Sequence, residues 1–395
     1  MKIGIFLFRR DFRYVDNVGL SMLSDVVDII YPMFNYDPVQ ANPNINSWFS
    51  EKSFCFMQEC INDMNPPLII SHDNIIKSLT AAFYKYKFGY LGLNEDYTDF
   101  SKKRDEEIAA WCITNNVILI VGRDIKLIQD APHTATGTNY KKFTPFYNKC
   151  IPLLKGTHKK LYNVNMNKIY ISTPDINISI NPEVQKTLAF HGGRSNFKFN
   201  AEWSELNTSH ISAYLKYGCV SIREIYKIYI NNEAIVRQLI WRDFYYGLPI
   251  TKGYNSKLII NINKKLLNKW KKGKTGYPGI DAGMRQLNQT GFMPNRMRLI
   301  TASFLVKDLC QDWQEGEKYF ATKLIDYDPC QNNGNWAWIA GILGRSSQMF
   351  NIKFNPVVQL YKYDPEFIYI KSWLPELSKL SNSEIKLYHT KNGII

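Results

Sequence analysis

The first third of the chain alternates short apolar segments with segments of helical spacing. The apolar segments are KIGIFLF (2–8), VVDIIYPMF (26–34), PPLII (66–70), FGYLGL (88–93) and NVILIV (116–121). Such runs predict buried strands, and residues 47–64 and 98–115 between them predict helices. Strands that alternate with helices indicate a parallel sheet, because parallel strands need crossover connections. We therefore predict a Rossmann-like α/β domain over residues 1–130, although no glycine-rich nucleotide loop follows a strand.

The strand pattern disappears in the second half of the chain. Residues 131–193 have poor periodicity and many Pro, Asn, Thr and Lys residues, which predicts an interdomain connection. Helical spacing then recurs over 209–218, 221–230, 233–248, 279–291, 295–313 and 317–325. We predict an all-α domain over residues 194–395, and a chain of 395 residues is long enough for two domains.

Charge and cysteine content restrict the partners and the compartment. The net charge of +14 favours a polyanionic partner. Seven cysteines without a CxxC pair predict reduced thiols in an intracellular compartment, either cytoplasm or nucleus/nucleoid. No histidine has zinc spacing, so no metal site is predicted. The N-terminus lacks the pattern of a signal peptide and no apolar window is long enough to cross a membrane, so we expect a protein that is neither secreted nor membrane-bound. We also expect a monomer.

One stretch, LIDYDPCQNNGNWAWIAG (324–341), combines acids, amides and indoles without a nucleophile or a metal-ligand pair. Gln238, Trp241, Arg242 and Tyr245 share one face of an earlier predicted helix. Taken singly, each feature has an ordinary structural explanation, since tryptophans at helical spacing are mostly core residues and an Arg–Asp pair is mostly structural. Their density in one region indicates a functional site.

Several motifs occur in the order that is typical of one family. They are LFRRDFRYVDN (7–17), NEDYTDFSKKRD (94–105), KKFTPFY (141–147), TSHISAYLKYG (208–218), QLIWRDFYY (238–246), the block 270–309 and the stretch 324–341. With these motifs the chain resembles the photolyase/cryptochrome flavoproteins from residue 2 to about residue 377. It is most similar to class I cyclobutane pyrimidine dimer photolyases, with some features of DASH cryptochromes.

The resemblance implies a fold and a reaction. The family has an N-terminal α/β antenna domain and a C-terminal helical domain that binds FAD. Reduced FAD absorbs light and donates an electron to a pyrimidine dimer flipped out of UV-damaged DNA, the dimer bonds break, and the electron returns. The protein supplies position and electrostatics while the cofactor supplies the chemistry.

The resemblance also implies the cofactor-binding residues. They are Thr208, Ser209, His210, Ile211 and Ser212 at a phosphate-binding turn, and Gln238, Arg242, Asn295, Arg298, Asp326, Asp328 and Asn332 around the flavin. Arg298 would pair with Asp326, and Asn332 would face flavin N5 as a neutral amide. The turn departs from the family at two positions. The family usually has Arg or Lys at the position of His210, and it has a tyrosine at the position where this chain has Asn196.

DNA contacts follow from the same resemblance. Trp241 and Trp338 would form two walls of the lesion pocket, and Gln238, Asn295, Arg296 and Leu299 would contact the DNA. Stacking a flipped base on an aromatic side chain contributes about 1–3 kcal/mol. Asn332, Trp241, Gln238 and Trp338 are therefore the predicted catalytic residues.

Trp336 and Trp313 resemble the first two tryptophans of the electron-transfer chain that reduces the flavin. The third tryptophan of the family should fall near Ile260, but residues 254–269 contain no tryptophan. Either the electron-transfer chain ends at Trp313, or Tyr254 or another aromatic residue substitutes. We expect photoreduction of oxidised FAD to be slower than is usual in the family.

The sequence leaves the lesion, the type of activity and the antenna pigment open. Pro294–Asn295 stands where (6-4) photolyases have two histidines, which favours a cyclobutane dimer as the lesion. The motifs FMPNRMR and DYDPC resemble DASH cryptochromes, which act mainly on single strands. A cryptochrome photoreceptor without repair activity and a light-independent flavin oxidoreductase are also compatible with the residues. Ser101 replaces the glutamate of folate-binding relatives, so folate is disfavoured as the antenna, and a deazaflavin, a second flavin or no antenna remain.

Overall fold

The N-terminal part of the chain forms a five-stranded sheet. The computed structural model describes residues 1–154, 161–170, 208–251, 263–343 and 353–395. The strands are β1 (Ile3–Phe8), β2 (Ile29–Asn35), β3 (Ile69–Ser71), β4 (Tyr90–Asn94) and β5 (Ile118–Gly122). All pairings are parallel, in the order β3-β2-β1-β4-β5. The predicted α/β sheet is confirmed.

Apolar residues on both faces of β1 explain why this strand lies at the centre of the sheet. Phe6 and Phe8 belong to a core cluster on one face, whereas Ile5 and Leu7 belong to another cluster on the opposite face. Helices cover these clusters: α1 (Val18–Val26), α2 (Glu51–Asn62), α3 (Ile75–Tyr86) and α4 (Asp99–Thr114). A strand buried on both faces is typical of parallel sheets.

The remaining described residues are mainly helical, and from Thr208 onward they contain no strand. The helices are α5 (Phe143–Leu153), α6 (Ile211–Lys216), α7 (Ile222–Ile228), α8 (Glu233–Tyr246), α9 (Lys264–Lys271), α10 (Pro278–Thr290), α11 (Asn295–Ser303), α12 (Trp313–Lys323), α13 (Pro329–Ile339), α14 (Pro356–Tyr363), α15 (Ile368–Trp373) and α16 (Asn382–Asn392). The predicted helical C-terminal part is confirmed. Helix α5 lies inside the segment predicted as a connection, and the bounds of the three predicted segments stay predictions.

The single helix expected over residues 295–313 is wrong. Helix α11 ends at Ser303, a π-helical turn covers Phe304–Asp308, and Trp313 begins α12 instead of ending the earlier helix. In the wider turn, the Leu309 amide donates to the Phe304 carbonyl at 2.9 Å. Asp312 then caps α12 by accepting a hydrogen bond from the Gln314 amide at 2.9 Å.

A buried network of four charges joins the sheet to the helical part. Arg13 Nη2 lies 2.6 Å from Asp124 Oδ2, and Arg223 Nη2 lies 2.7 Å from Asp124 Oδ1. Arg223 Nε also contacts Asp16 Oδ2 at 2.8 Å. Burial alone would raise the pKa of Asp124, but the two guanidinium groups outweigh it and hold the pKa below its ordinary value.

Within the described ranges, none of the helices has the length and apolar character that crossing a bilayer requires.

Candidate functional site

Helix α13 carries most of the stretch that the sequence singled out. Asp328 caps it by accepting a hydrogen bond from the Gln331 amide at 3.1 Å, and Pro329 occupies its first turn. The helix packs against α8, α11 and α12. Gly334 allows the approach to α8, because a Cβ atom there would overlap the ring of Tyr245. Tyr245 also donates its hydroxyl to Asn335 Oδ1 at 3.0 Å.

The second carboxylate oxygen of Asp328 is the centre of an interdomain clasp formed by Arg10, Tyr97, Tyr246 and Asp328. Tyr246 donates its hydroxyl to Asp328 Oδ2 at 3.0 Å, Tyr97 donates to the same oxygen, and Arg10 Nη1 lies 3.5 Å away. Arg10 Nη2 also pairs with Asp96 Oδ1 at 2.9 Å. Since these contacts and the helix cap use both oxygens of Asp328, its position already has a structural explanation. The predicted flavin contact of Asp328 stays a prediction.

Arg298 and Asp326 form the pair that the resemblance implies. Arg298 Nη2 lies 2.7 Å from Asp326 Oδ2, and Arg298 Nε donates to the Met293 carbonyl at 2.7 Å. Burial would raise the pKa of Asp326, but the Arg298 guanidinium outweighs burial and holds the pKa below its ordinary value. Asp326 is therefore a carboxylate in a buried, charge-paired environment.

The two adjacent amides of α13 have different surroundings. Asn333 is buried and fixes Thr251: its Oδ1 accepts from the Thr251 amide at 2.7 Å and its Nδ2 donates to the Thr251 carbonyl at 3.1 Å. Asn332 Nδ2 donates to the Glu317 carbonyl at 3.1 Å. No described residue donates to Asn332 Oδ1. The orientation of this side chain therefore leaves a neutral acceptor available.

The turn before α6 lies beside the Arg298–Asp326 pair. The ring of Phe292 connects them, since His210 packs on it with ring centroids 4.2 Å apart and Arg298 Cζ lies 5.7 Å from its centroid. His210 has a left-handed backbone conformation, with φ of 54°. Thr208 Oγ1 is buried without a hydrogen-bond partner among the described residues. Ser209 is partly buried, Ile211 is buried and Ser212 is exposed, whereas Asn196 lies outside the described residues.

Three predicted residues lie on one face of α8. Gln238 is exposed. Trp241 is half-buried and its ring lies parallel to that of Phe143, with centroids 3.6 Å apart. Arg242 donates to the Ile125 carbonyl and covers the Tyr246 ring at 4.9 Å. Gln238 and part of Trp241 are therefore accessible, whereas Arg242 is engaged with its neighbours.

The remaining predicted DNA contacts lie around the start of α11. Asn295, its first residue, is exposed, and Leu299 is half-buried against the helical core. Arg296 covers the Tyr363 ring at 4.4 Å from its centroid. Trp338 is half-buried, with its ring centroid 6.3 Å from that of Phe354. Accessible polar and aromatic groups thus lie on helices α8, α11 and α13.

Trp336 and Trp313 both lie in the core of the helical part, at 2% and 1% exposure. Gly316 allows Trp336 to pack closely on α12, because a Cβ atom at this position would overlap the six-membered ring of the indole. The Trp336 ring also contacts Trp270 edge-on, with centroids 6.2 Å apart. The position near Ile260, where a third tryptophan was expected, lies outside the described residues.

Comparisons with known proteins match both parts of the chain. A family model described as the FAD binding domain of DNA photolyase matches residues 235–393, and a model described as DNA photolyase matches residues 4–161. A deoxyribodipyrimidine photo-lyase from Buchnera aphidicola subsp. Baizongia pistaciae is 36% identical over 76% of this chain and 71% of the relative. This chain belongs to the DNA photolyase/cryptochrome family.

A solved structure and a second relative from this family are also similar to the chain. The archaeal photolyase from Sulfolobus tokodaii, whose structure contains two FAD molecules, has a TM-score of 0.82 and 32% identity, covering 99% of this chain and 94% of that one. A cryptochrome DASH from Synechocystis is 41% identical over 45% of this chain and 40% of the relative. The similarity to known photolyases therefore covers both parts of the chain.

The residues of this photolyase-family chain fit the FAD that its domain implies. Thr208 supplies a buried hydroxyl without a partner among the described residues, and Asn332 supplies an available amide oxygen. The charge-paired carboxylate of Asp326 lies beside the same turn. The sequence did not single out Lys216, Glu317, Trp270 or the partners of Asp328, because they come from distant segments whose spacing carries no signal. Arg10, Tyr97, Lys216, Tyr246 and Trp270 do lie within quoted family motifs, so the resemblance was the signal that could have found them.

Lys216 is the least expected charge near this site. Its Nζ donates to Ser53 Oγ at 2.8 Å and to the Ile325 carbonyl at 3.3 Å. Burial and the nearby Arg10 lower the pKa of Lys216 to about 7, against the opposing effect of Asp326 and Asp328. Lys216 thus contacts both the α/β part and the segment that carries Asp326.

Proposed function

We propose that this chain splits cyclobutane pyrimidine dimers in UV-damaged DNA under blue light, with FAD as its working cofactor. The photo-lyase from Buchnera and the photolyase structure from Sulfolobus tokodaii support the reaction class. The net charge of +14 suits a polyanionic substrate.

The observation that carries the proposal is the setting of Asn332. Its amide nitrogen is occupied by the Glu317 carbonyl, so its oxygen is directed as an acceptor that has no proton to exchange. An aspartate or a cysteine at this position would offer an acidic group instead. A neutral acceptor suits an environment in which an electron has to reach the lesion without a competing proton transfer.

When bound, reduced FAD supplies the electron that splits the dimer and recovers it afterwards. The protein residues hold, orient and shield the cofactor and the lesion. Thr208 and the turn to Ser212 hold the cofactor phosphates, and Asp326, fixed by Arg298, provides a buried negative charge. Trp241 and Trp338 receive the flipped lesion, while Gln238, Asn295 and Arg296 contact the DNA around it.

A second candidate is repair directed mainly at single-stranded DNA, as expected for a DASH cryptochrome. The identity of 41% to the Synechocystis DASH protein favours it, although that match covers only 45% of this chain. The two candidates differ in whether they accept double-stranded DNA, and they share the same lesion chemistry.

The test uses chemically reduced protein and oligonucleotides that carry one cyclobutane dimer, in single-stranded and double-stranded form. Under blue light we expect loss of the dimer, measured by chromatography, with no loss in the dark. An oligonucleotide with a (6-4) photoproduct is the matched control and should stay unchanged. Loss confined to single strands supports the DASH candidate, and absence of loss in both forms under light contradicts the repair proposal.

The antenna pigment and the compartment are further parts of the proposal. All seven cysteines are unpaired thiols, which suits a reducing intracellular compartment. We propose that the antenna is not folate, because Ser101 replaces the glutamate of folate-binding relatives and its amide and hydroxyl bond to Thr98 within the cap of α4. Chromatography of the pigment released from purified protein tests the antenna: a second flavin, a deazaflavin or no antenna pigment is compatible with the proposal, and folate contradicts it.

A further inference from the structure

We infer that electrons reach Trp336 through Trp270 and Tyr319, with Tyr319 as the terminal donor. We call these three residues the aromatic branch. The inference rests on the proposed function, since it concerns how the cofactor of such an enzyme is brought into its reduced form. It assigns a donor to a chain that has no tryptophan over residues 254–269.

Ring contacts connect the three residues without a gap. The centroids of Trp336 and Trp270 are 6.2 Å apart, and those of Trp270 and Tyr319 are 5.8 Å apart. Phe320 fills the same space, parallel to Trp270 at 5.9 Å and edge-on to Trp336 at 5.0 Å. These separations are those of aromatic side chains in contact. Since electron transfer weakens steeply with distance, contacting rings form the favourable route.

Trp270 is suited to pass an electron on and unsuited to end the route. It is fully buried, and its Nε1 donates to the Thr301 carbonyl at 3.0 Å. A carbonyl does not take up the indole proton, so an oxidised Trp270 stays a radical cation until another residue reduces it. Trp313 is also buried, at 1% exposure, so an oxidised Trp313 side chain would have little access to an external reductant.

Tyr319 is half-buried and has a proton to release. Burial raises the pKa of its phenol to about 12, so the resting side chain is protonated. Its hydroxyl lies 2.5 Å from Asn288 Oδ1 and 2.9 Å from the Lys271 carbonyl. The ammonium groups of Lys271 and Lys323 lie 5.4 and 5.7 Å from its ring. These two cations disfavour a positive charge on the ring, so loss of an electron requires loss of the phenolic proton.

Electrons move stepwise along the aromatic branch, and a thiol reductant in solution replaces the electron that is lost. Trp336 gives one electron to the light-excited oxidised cofactor, and Trp270 then reduces the Trp336 radical cation. Tyr319 reduces Trp270, releases its phenolic proton to solvent and becomes a neutral radical. A thiol reductant in solution donates one hydrogen atom to the Tyr319 oxygen, which restores the phenol and leaves a thiyl radical.

The experiment is laser-flash absorption spectroscopy on the FAD-loaded, oxidised protein, with electron paramagnetic resonance to identify the radical. We expect a neutral tyrosyl radical in the wild type. Tyr319→Phe and Trp270→Phe should both lose this signal and shorten the lifetime of the charge-separated state. Tyr277→Phe and Trp373→Phe are matched controls, because both are partly buried aromatics of the same core, and the ring contacts of Tyr277 are with Phe304 and His389.

Two results would overturn the inference. One is an unchanged lifetime and radical spectrum in Tyr319→Phe, and the other is loss of the long-lived radical in Trp313→Phe together with its survival in Trp270→Phe. FAD content, measured by absorbance, identifies a variant that fails to fold. If Trp270→Phe fails to fold, the result with Tyr319→Phe alone tests the inference. Dimer repair by wild-type protein reduced chemically beforehand tests the proposed function separately, because that assay bypasses the aromatic branch.

Discussion

Glu317 of α12 accepts hydrogen bonds from both side-chain amides of α13. Its backbone carbonyl accepts from Asn332, and its carboxylate accepts from Asn333. The side chain is 8% exposed, and burial raises its pKa to about 7, with the Asn333 hydrogen bond opposing. The folded protein therefore holds a proton that the unfolded chain releases at lower pH. It follows that this group makes stability fall as the pH rises from about 4.5 to about 7.

Replacing Glu317 with Gln should remove this pH dependence. The variant should be more stable than the wild type at about pH 8, by on the order of 1–3 kcal/mol, and similar to it at about pH 4.5. Urea unfolding at both pH values measures the difference. Glu315→Gln, on the same helix but half-exposed, is the control and should keep the wild-type change in the free energy of unfolding between the two pH values. The same pH dependence of the free energy of unfolding in all three proteins would show that Glu317 is ionised in the folded state.

Trp241 has two possible roles at the residue scale, since it stacks on Phe143 and is also the predicted wall of the lesion pocket. Trp241→Ala should weaken binding of a dimer-containing oligonucleotide by about 1–3 kcal/mol while leaving the FAD content unchanged. Fluorescence anisotropy and flavin absorbance measure the two quantities. Trp241→Phe, which preserves an aromatic ring on Phe143, should have the smaller effect. Loss of FAD in the alanine variant would instead identify Trp241 as a core residue.

At the scale of elements, the packing of α12 on α13 depends on Gly316. A methyl group at this position would overlap Trp336 and Leu305, which are both in the core. Gly316→Ala should therefore destabilise the protein by about 1–3 kcal/mol through overpacking, with loss of FAD. Thermal unfolding and flavin absorbance test this prediction.

Gly279 of α10 provides the control for that substitution. A Cβ atom there would meet its nearest neighbours at 3.8 Å, which is ordinary contact. Gly279→Ala should be neutral or stabilising, by up to about 1 kcal/mol, because alanine favours the helical conformation more than glycine. Equal destabilisation by both substitutions would contradict the role assigned to the α12–α13 contact.

The elements differ in how far the sequence could predict them. The strands were predictable because β1 and β2 are continuous apolar runs. Helix α1 was missed because small residues, Gly19, Ser21 and Ser24, form much of its buried face and leave no apolar period. The break between α11 and α12 was missed because apolar spacing continues through the π-helical turn. In the site, the Arg298–Asp326 pair was predictable from family motifs, whereas the contacts of Asp328 with Tyr97 and Tyr246 depend on tertiary folding.

For the whole molecule, the buried network around Asp124 controls how the sheet meets the helical part. Asp124→Asn would leave Arg13 and Arg223 without their shared carboxylate, and removing one partner of a buried ion pair costs about 3–5 kcal/mol. Because the pKa of Asp124 is lowered in the folded state, its contribution is present above about pH 4 and is lost as the pH falls through the folded pKa.

Urea unfolding across acidic pH tests this prediction. The variant should be less stable than the wild type at neutral pH, and the difference should shrink in acid. Asp130→Asn is the matched control, since Asp130 pairs with Arg123 at 3.0 Å on the surface and should contribute less than about 1 kcal/mol. A constant difference between wild type and Asp124→Asn at every pH would contradict the assigned pKa shift.

The interdomain clasp has a consequence for timing. Tyr97 and Arg10 hold the start of α13 against the α/β part, and Tyr246 of α8 donates to the same carboxylate from within the helical part. Domain motions take microseconds to milliseconds, whereas an enzyme driven by light acts within the short life of an excited state. Such an enzyme has no opportunity to close around its substrate after the photon arrives. A clasp that fixes the geometry in advance allows the reaction to begin from the arrangement already present when light is absorbed.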